Sequence, residues 1–222
     1  MRQSPGEVVL ITGSAKRAGR AIALAFGSLQ YRLAIHYRSS RCEAAGLRSQ
    51  LRSQGTEAGL FRADLSRVSG VKRLVSQVER ELGPITCLIN NAANFLRTPL
   101  EALREKDWNR SLDTNLKGPF FLAREAGLLM KKRGMGIIIN ISDWAGLDPY
   151  PSYLPHSIAK AGLIAGTRGL AKALGSSVRV YGIAPKKMKS FNPLARLILR
   201  MVRGSCFQSG ATYGVDGKKL VS

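Results

Sequence analysis

Short apolar runs rich in β-branched residues alternate along this chain with segments of helical periodicity, and that alternation leaves few folds open. EVVLIT precedes RAIALAFGSL, RLAIHY precedes EAAGLRSQLRS, AGLFRADL precedes VKRLVSQVEREL, and ITCLINNAA precedes a polar helix expected from about Leu100. A long helix around residues 116–133 then leads to GIIINIS, to a helix holding HSIAK, and to a last run, VRVYGIAP. Strands that are apolar on both faces and joined by helices form a parallel sheet covered on both sides. The reading is a single doubly wound α/β domain over residues 1–222, without internal repeats. A length of 222 residues, 45% of them hydrophobic, suffices for one sizeable core and is short for two.

No run reaches the roughly 18 apolar residues of a membrane span, and MRQSPGEVVLITG lacks a signal peptide's apolar centre, so a cytoplasmic protein is expected. Cys42, Cys87 and Cys206 are isolated, which points to reduced structural thiols and no metal site. With a net charge of +21, nucleic acid, anionic lipid and an anionic cofactor are the partners to consider. Residues 1–111 carry 18 basic and 9 acidic side chains, residues 112–222 carry 17 and 5. Charge spread this evenly is not a nucleic-acid footprint, and none is expected as a partner.

After Pro185 the texture changes, because KKMKSFNPLARLILRMVRGSC holds six basic residues and no acid. As a helix it puts Phe191, Leu194, Ile198 and Met201 on one face and Arg196, Arg200 and Arg203 opposite. Such a helix covers a core or lid with its basic face in water, or lies on a membrane or partner.

EVVLITGSAKRAGRAIAL reads as strand, turn and helix start, the Rossmann-type entry to a nucleotide site. Gly13 permits the tight turn, Gly19 lets helix approach sheet, and the helix start offers free N–H groups to a pyrophosphate. Lys16 and Arg17 stand in the turn, Arg17 where a middle glycine is usual, with Ser14 and Ala18 beside them. The second strand ends in HYRSS, with no acid to hold a ribose 2′-hydroxyl; Arg38, Ser39 and Ser40 suit a 2′-phosphate, so NADP(H) is the expected cofactor.

TGSAKRAG, RADL, LINNAA, DTNLKG, INISD, HSIAK and VYGIAP occur in the order of the motifs of the short-chain dehydrogenases/reductases, which this chain resembles. Arg17, NNAANF and the aspartate of ISD look most like the pteridine-reductase-like branch. The resemblance covers about residues 5–185 and resumes at SGATYGVDGKKLV. It implies hydride transfer between a nicotinamide and a carbonyl or pterin-like C=N bond. Asp64, followed by Leu65, would hold the adenine, and Asn91, Ala92 and Ala93 the adenine ribose and the fourth strand. Asn115 would bend its helix and hold a relay water; Asp143 stands where a serine is usual; Pro185 would border the nicotinamide. Phe95 and Tyr153 are candidates to meet a flat substrate. Relatives form dimers or tetramers through the two long helices, so a homo-oligomer is implied.

The family acid is a tyrosine one helical turn before the lysine, whose ammonium lowers the phenol's pKa and binds the nicotinamide ribose. Here Lys160 is present and its partner is His156. Histidine is an acid when protonated, so His156 implies activity that rises toward acid pH. The alternative is a protein that binds NADPH with little turnover. VYGIAP carries Tyr181 for the usual asparagine, no glycine follows Pro185, and the segment at 186–206 is short for a substrate lid. A basic nucleic-acid or membrane-surface binding protein that uses residues 186–206 is a further alternative.

Overall fold

Every apolar run becomes a strand, and the burial of alternate residues decides which helices cover it. The computed structural model describes residues 6–204 and 206–222. Residues 1–5, part of the segment read as lacking a signal peptide, and Ser205, within 186–206, lie outside them.

The chain runs β1 (Val8–Ile11), α1 (Arg17–Gly27), β2 (Arg32–Tyr37), α2 (Arg41–Ser53), β3 (Ala58–Arg62), α3 (Val68–Glu81) and β4 (Ile85–Asn90). It continues through α4 (Glu105–Leu112), α5 (Gly118–Lys132), β5 (Gly136–Ile141), α6 (Leu154–Leu174), β6 (Val178–Ile183), α7 (Asn192–Arg203), β7 (Thr212–Tyr213) and β8 (Lys219–Val221). The sheet order is β3-β2-β1-β4-β5-β6-β7-β8, parallel except for β7 with β8. One doubly wound domain results, with the order reversing between β1 and β4. In sheets of this type that switch point, at the carboxyl ends of the strands, is where ligands bind.

Side-chain alternation divides the interior in two. Val9 and Ile11 of β1 face Ile22 and Phe26 of α1, Leu47 of α2 and Ile198 of α7; Val8 and Leu10 face Leu74 of α3, Leu122 of α5 and Leu170 of α6. The polar segment expected to be helical from Leu100 makes only a short 3₁₀ turn, Leu100–Ala102, and α4 begins at Glu105. The long helix starts at Gly118, later than expected, because residues Asp113–Lys117 form a π-helical turn that turns Asn115 inward.

Helix α7 settles where the basic segment goes. Leu194, Ala195, Leu197, Ile198, Met201 and Val202 are buried, while Arg196, Arg200 and Arg203 are exposed. Its apolar face is already spent on α1 and the sheet, which removes the membrane-lying arrangement. Phe191, expected on that face, caps the helix half-buried, with the Arg17 guanidinium 6.0 Å from its ring centre. Among the described residues no helix is long and apolar enough to cross a membrane. Of the three cysteines only Cys87 is buried; Cys42 and Cys206 are exposed free thiols, so the structural reading holds for one of them.

Candidate active site

Most of the expected site residues lie just beyond the carboxyl ends of strands, while Asn115 sits in the π-helical turn before α5 and His156 and Lys160 on α6. Gly13, Ser14, Lys16, Arg17, Ala18 and Gly19 follow β1; Arg38 and Ser39 follow β2; Asp64 and Leu65 follow β3. Asn91, Ala92, Ala93 and Phe95 follow β4, Asp143 follows β5, and Pro185 follows β6. Tyr153 caps α6, which carries His156 and Lys160.

The glycine turn is built mainly from backbone. Gly13 has φ +62, and a Cβ there would sit 3.0 Å from the Ala92 Cα. At Gly19 a Cβ would lie 2.3 Å from the Gly13 carbonyl oxygen, so helix and turn touch because no side chain intervenes. Arg17 has a left-handed backbone, at φ +49, a conformation that glycine adopts most readily, and its side chain is exposed. No side chain caps the start of α1, which leaves first-turn N–H groups available to an anion. The cradle fits a dinucleotide pyrophosphate. A groove of about 520 Å³ beside it runs between α1 and α7 past Arg17, Arg20 and Arg196. Lys16 is paired with Glu43 at 2.5 Å.

Two residues that sequence reasoning passed over hold this turn. The Nδ1 of His36 accepts the Gly13 N–H at 3.1 Å, and its Nε2–H donates to the Ala63 carbonyl at 3.1 Å. Burial pulls the His36 pKa down to about 4, so the ring is neutral and the tautomer is set by its partners. Thr12 Oγ1 accepts the N–H groups of Asn91 and Ala92, both at 2.9 Å, while the Asn91 amide donates to the Thr12 carbonyl at 2.8 Å. Thus β4 is tied to β1 where the turn begins. HYRSS contains His36, but a string of letters does not say which way its ring points.

Asp64 accepts the Ser66 hydroxyl at 2.8 Å and amide at 3.0 Å, through Oδ1. Those bonds, against burial and with Arg38 adding, hold its carboxyl below the usual range.

The second cluster is held by side chains. Register sets Asn90 opposite Asn140, and their amides bond at 2.9 Å, with Asn140 donating to Thr167 at 3.0 Å. Ser142 donates to the Lys160 carbonyl at 2.8 Å, which anchors α6 to β5. Lys160 is buried, its ammonium donating to the Ile141 carbonyl at 2.8 Å. Burial lowers its pKa to about 8, with Asp143 opposing. Burial works to raise Asp143, but the facing His156, the Ala145 amide at 2.8 Å and Lys160 outweigh it and hold the carboxyl low.

His156 is buried between these groups. Its Nδ1 lies 3.1 Å from the Asn94 carbonyl oxygen; its Nε2 has no hydrogen-bond partner and lies 3.8 Å from Asp143 Oδ2. Asn115 bonds reciprocally with Asn94: its amide donates to the Asn94 carbonyl at 3.0 Å, and its Oδ1 accepts the Asn94 N–H at 2.9 Å. The Phe95 ring meets His156 edge-on at 4.8 Å and stacks on Tyr153 at 4.1 Å. Tyr181 is fully buried and packs against Phe207, so the residue replacing an asparagine is core. Lys186, in place of a glycine, sets its ammonium 3.7 Å from the centre of the Trp144 ring. Among the described residues no His, Cys, Asp or Glu group could hold a metal ion.

A model of the short chain dehydrogenase family matches residues 7–193. A 3-oxoacyl-[acyl-carrier-protein] reductase from Synechocystis sp. is 29% identical, over 95% of this chain and 96% of that protein. One from Staphylococcus aureus is 30% identical over 79% of this chain and 72% of its own, and an uncharacterized oxidoreductase from Thermotoga maritima is 31% identical over 86% and 76%. The crystal structure of a short chain dehydrogenase from Mycobacterium avium aligns with a TM-score of 0.90 at 25% identity, over 100% of this chain and 86% of that one. A Sinorhizobium meliloti structure, 23% identical over 96% of both chains with a TM-score of 0.90, shares the fold.

Proposed function

The chain belongs to the short chain dehydrogenase family, and on that premise we propose that it is an NADP(H)-dependent oxidoreductase that reduces a carbonyl group, with His156 as the acid. The observation that carries this reading is the buried, unpartnered Nε2 of His156, near Asp143 and one helical turn from the buried Lys160. The nicotinamide, when bound, supplies the hydride. The glycine turn and the start of α1 hold the pyrophosphate; Arg17, Arg38 and Ser39 favour the 2′-phosphate; Asp64 and Leu65 border the adenine; Asn91 to Ala93 border its ribose. Lys160 holds the nicotinamide ribose, beside Pro185. Imidazolium at Nε2 donates to the substrate oxygen, and Asp143 stabilises that charge. Asn115 keeps the loop at Asn94 in place.

Two of the relatives are named for 3-oxoacyl reduction, which makes a 3-oxoacyl thioester the first carbonyl to test. A pterin-like substrate is the second reading, favoured by Phe95, which stacks on Tyr153 yet stays 54% exposed and offers a flat platform. A homo-oligomer belongs to the proposal, supported by the exposed Trp108 of α4, Phe120 and Leu128 of α5 and Ile158 of α6. So does a cytoplasmic setting, which suits free thiols.

The test is fluorescence titration with NADPH and NADH, then NADPH oxidation with a 3-oxoacyl thioester, small ketones and a quinonoid dihydropterin. NADPH binding with turnover supports the reading. Binding without turnover, restored by His156→Tyr, identifies an NADPH-binding protein that lacks its donor. Failure to bind NADPH overturns the reading and favours a basic-surface role for residues 186–206.

A further inference from the structure

We propose that Asn94 is a positioning residue that holds the His156 ring in its Nδ1–H form, leaving Nε2 as the one atom through which the ring exchanges a proton with substrate. The inference rests on the reading of His156 as the acid–base group and names the device that orients it.

A carbonyl oxygen only accepts, so the 3.1 Å contact between His156 Nδ1 and the Asn94 carbonyl requires a hydrogen on Nδ1. The Asn115 amide nitrogen lies 3.4 Å from the same ring nitrogen, but it too is a donor and cannot bond a protonated Nδ1. Its hydrogens have other acceptors: the Asn94 carbonyl at 3.0 Å, Asn94 Oδ1 at 2.9 Å and Ser111 Oγ at 3.2 Å. The amide orientation is not arbitrary, because Asn115 Oδ1 must face the Asn94 N–H that donates to it at 2.9 Å. The Asn94 side chain in turn donates to the Arg110 carbonyl at 2.8 Å. The carbonyl that reads the His156 tautomer is therefore fixed through its own amide, its own side chain and the π-helical turn.

The consequence falls on the other nitrogen. In the neutral ring Nε2 carries a lone pair and takes up a proton; in the imidazolium it carries the hydrogen and gives it to a substrate oxygen. Asp143, arriving from the end of β5, faces Nε2 at 3.8 Å, Lys160 lies one turn farther along α6, Tyr153 caps that helix, and Tyr150 precedes it. The Phe95 ring stands perpendicular to the His156 ring, with the ring centres 4.8 Å apart.

The chain contains two histidines, and the other serves as an internal control. His36 is held in the opposite tautomer, accepting from Gly13 at Nδ1 and donating to Ala63 from Nε2. Long-range ¹⁵N–¹H spectra of histidine-labelled protein at neutral and alkaline pH separate the two forms, and His156→Gln assigns the signals. The expected result is one ring in each tautomer, His156 being Nδ1–H. Asn94→Ala keeps the carbonyl and removes only its side-chain anchor to Arg110; combined with Asn115→Ala, which removes the acceptor of the Asn94 N–H, the His156 pattern becomes a mixture with the Nε2–H form, His36 stays unchanged, and kcat falls about ten-fold. A wild-type His156 in the Nε2–H form overturns the proposal without any variant, as does an unaltered His156 pattern in the Asn94→Ala, Asn115→Ala double variant. The wider functional reading fails separately, if His156→Gln turns over as fast as the wild type.

Discussion

The turn after β1 and the cluster between β5 and α6 sit at the same edge of the sheet, yet they hold their functional groups in different ways. The first works through backbone: N–H groups at the start of α1, a glycine at φ +62, and close approach at Gly19. Arg17 takes part in it through a left-handed backbone, φ +49, while its side chain is exposed. The second works through side chains whose chemistry is individual, and in the proposed mechanism His156 supplies the proton from Nε2.

The largest effect tests the second region. Lys160→Met should lower kcat/KM by about a thousand-fold while leaving the protein at least as stable near neutral pH. The sign follows from burial: the folded pKa is about 8 against the ordinary 10.5 of a lysine, so the unfolded chain binds more protons between those values and wild-type stability rises with pH across that window. Urea denaturation from pH 7 to 10 should show that rise in the wild type and not in the variant. Equal loss of stability and activity would break the contrast.

The next effect tests the first region through its hidden support. His36 has a folded pKa of about 4 against 6.5, so the unfolded state takes up its proton first as the pH falls. Stability should drop progressively between those values, by up to about 3 kcal/mol at the acid end. His36→Gln should remove that part of the acid sensitivity, read from denaturation midpoints. Gly19→Ala should cost about 2 kcal/mol and weaken NADPH binding, since its Cβ would meet the Gly13 carbonyl, measured by melting and by fluorescence titration.

The smallest effect sharpens the comparison most. Arg17→Gly should stabilise the fold by up to about 1 kcal/mol, because glycine adopts the φ of +49 without strain. The same change should reduce the preference for NADPH over NADH several-fold, a ratio of two dissociation constants. Backbone and side chain at one position would then be shown to act separately.

Much of the architecture was legible because apolar runs and helical periods are local signals. The strand RLAIHY coincides with β2, and Tyr153 lies just outside α6 as its spacing indicates. Helix beginnings near Leu100 and Leu116 were not legible, since apolar periodicity does not distinguish the 3₁₀ turn at Leu100–Ala102 or the π turn at Asp113–Lys117 from an α-helical start. The amphipathic pattern of residues 192–203 was readable, but not what its apolar face would meet. At the site, the glycine spacing and the Lys160–His156 interval were visible in the letters. The orientation of His36, the role of Thr12 and the carbonyl that reads His156 were not, because each depends on a partner distant in sequence, such as Asn94 to His156.

The most direct measurement is kcat for NADPH-dependent reduction of a 3-oxoacyl thioester from about pH 5 to 8, for the wild type and His156→Tyr, across the range in which histidines titrate. A proton donated from His156 gives a wild-type rate that falls as the pH rises through that range, and a His156→Tyr rate that does not fall with it. The same falling profile in both proteins would contradict the account, because the proton would then come from some other group.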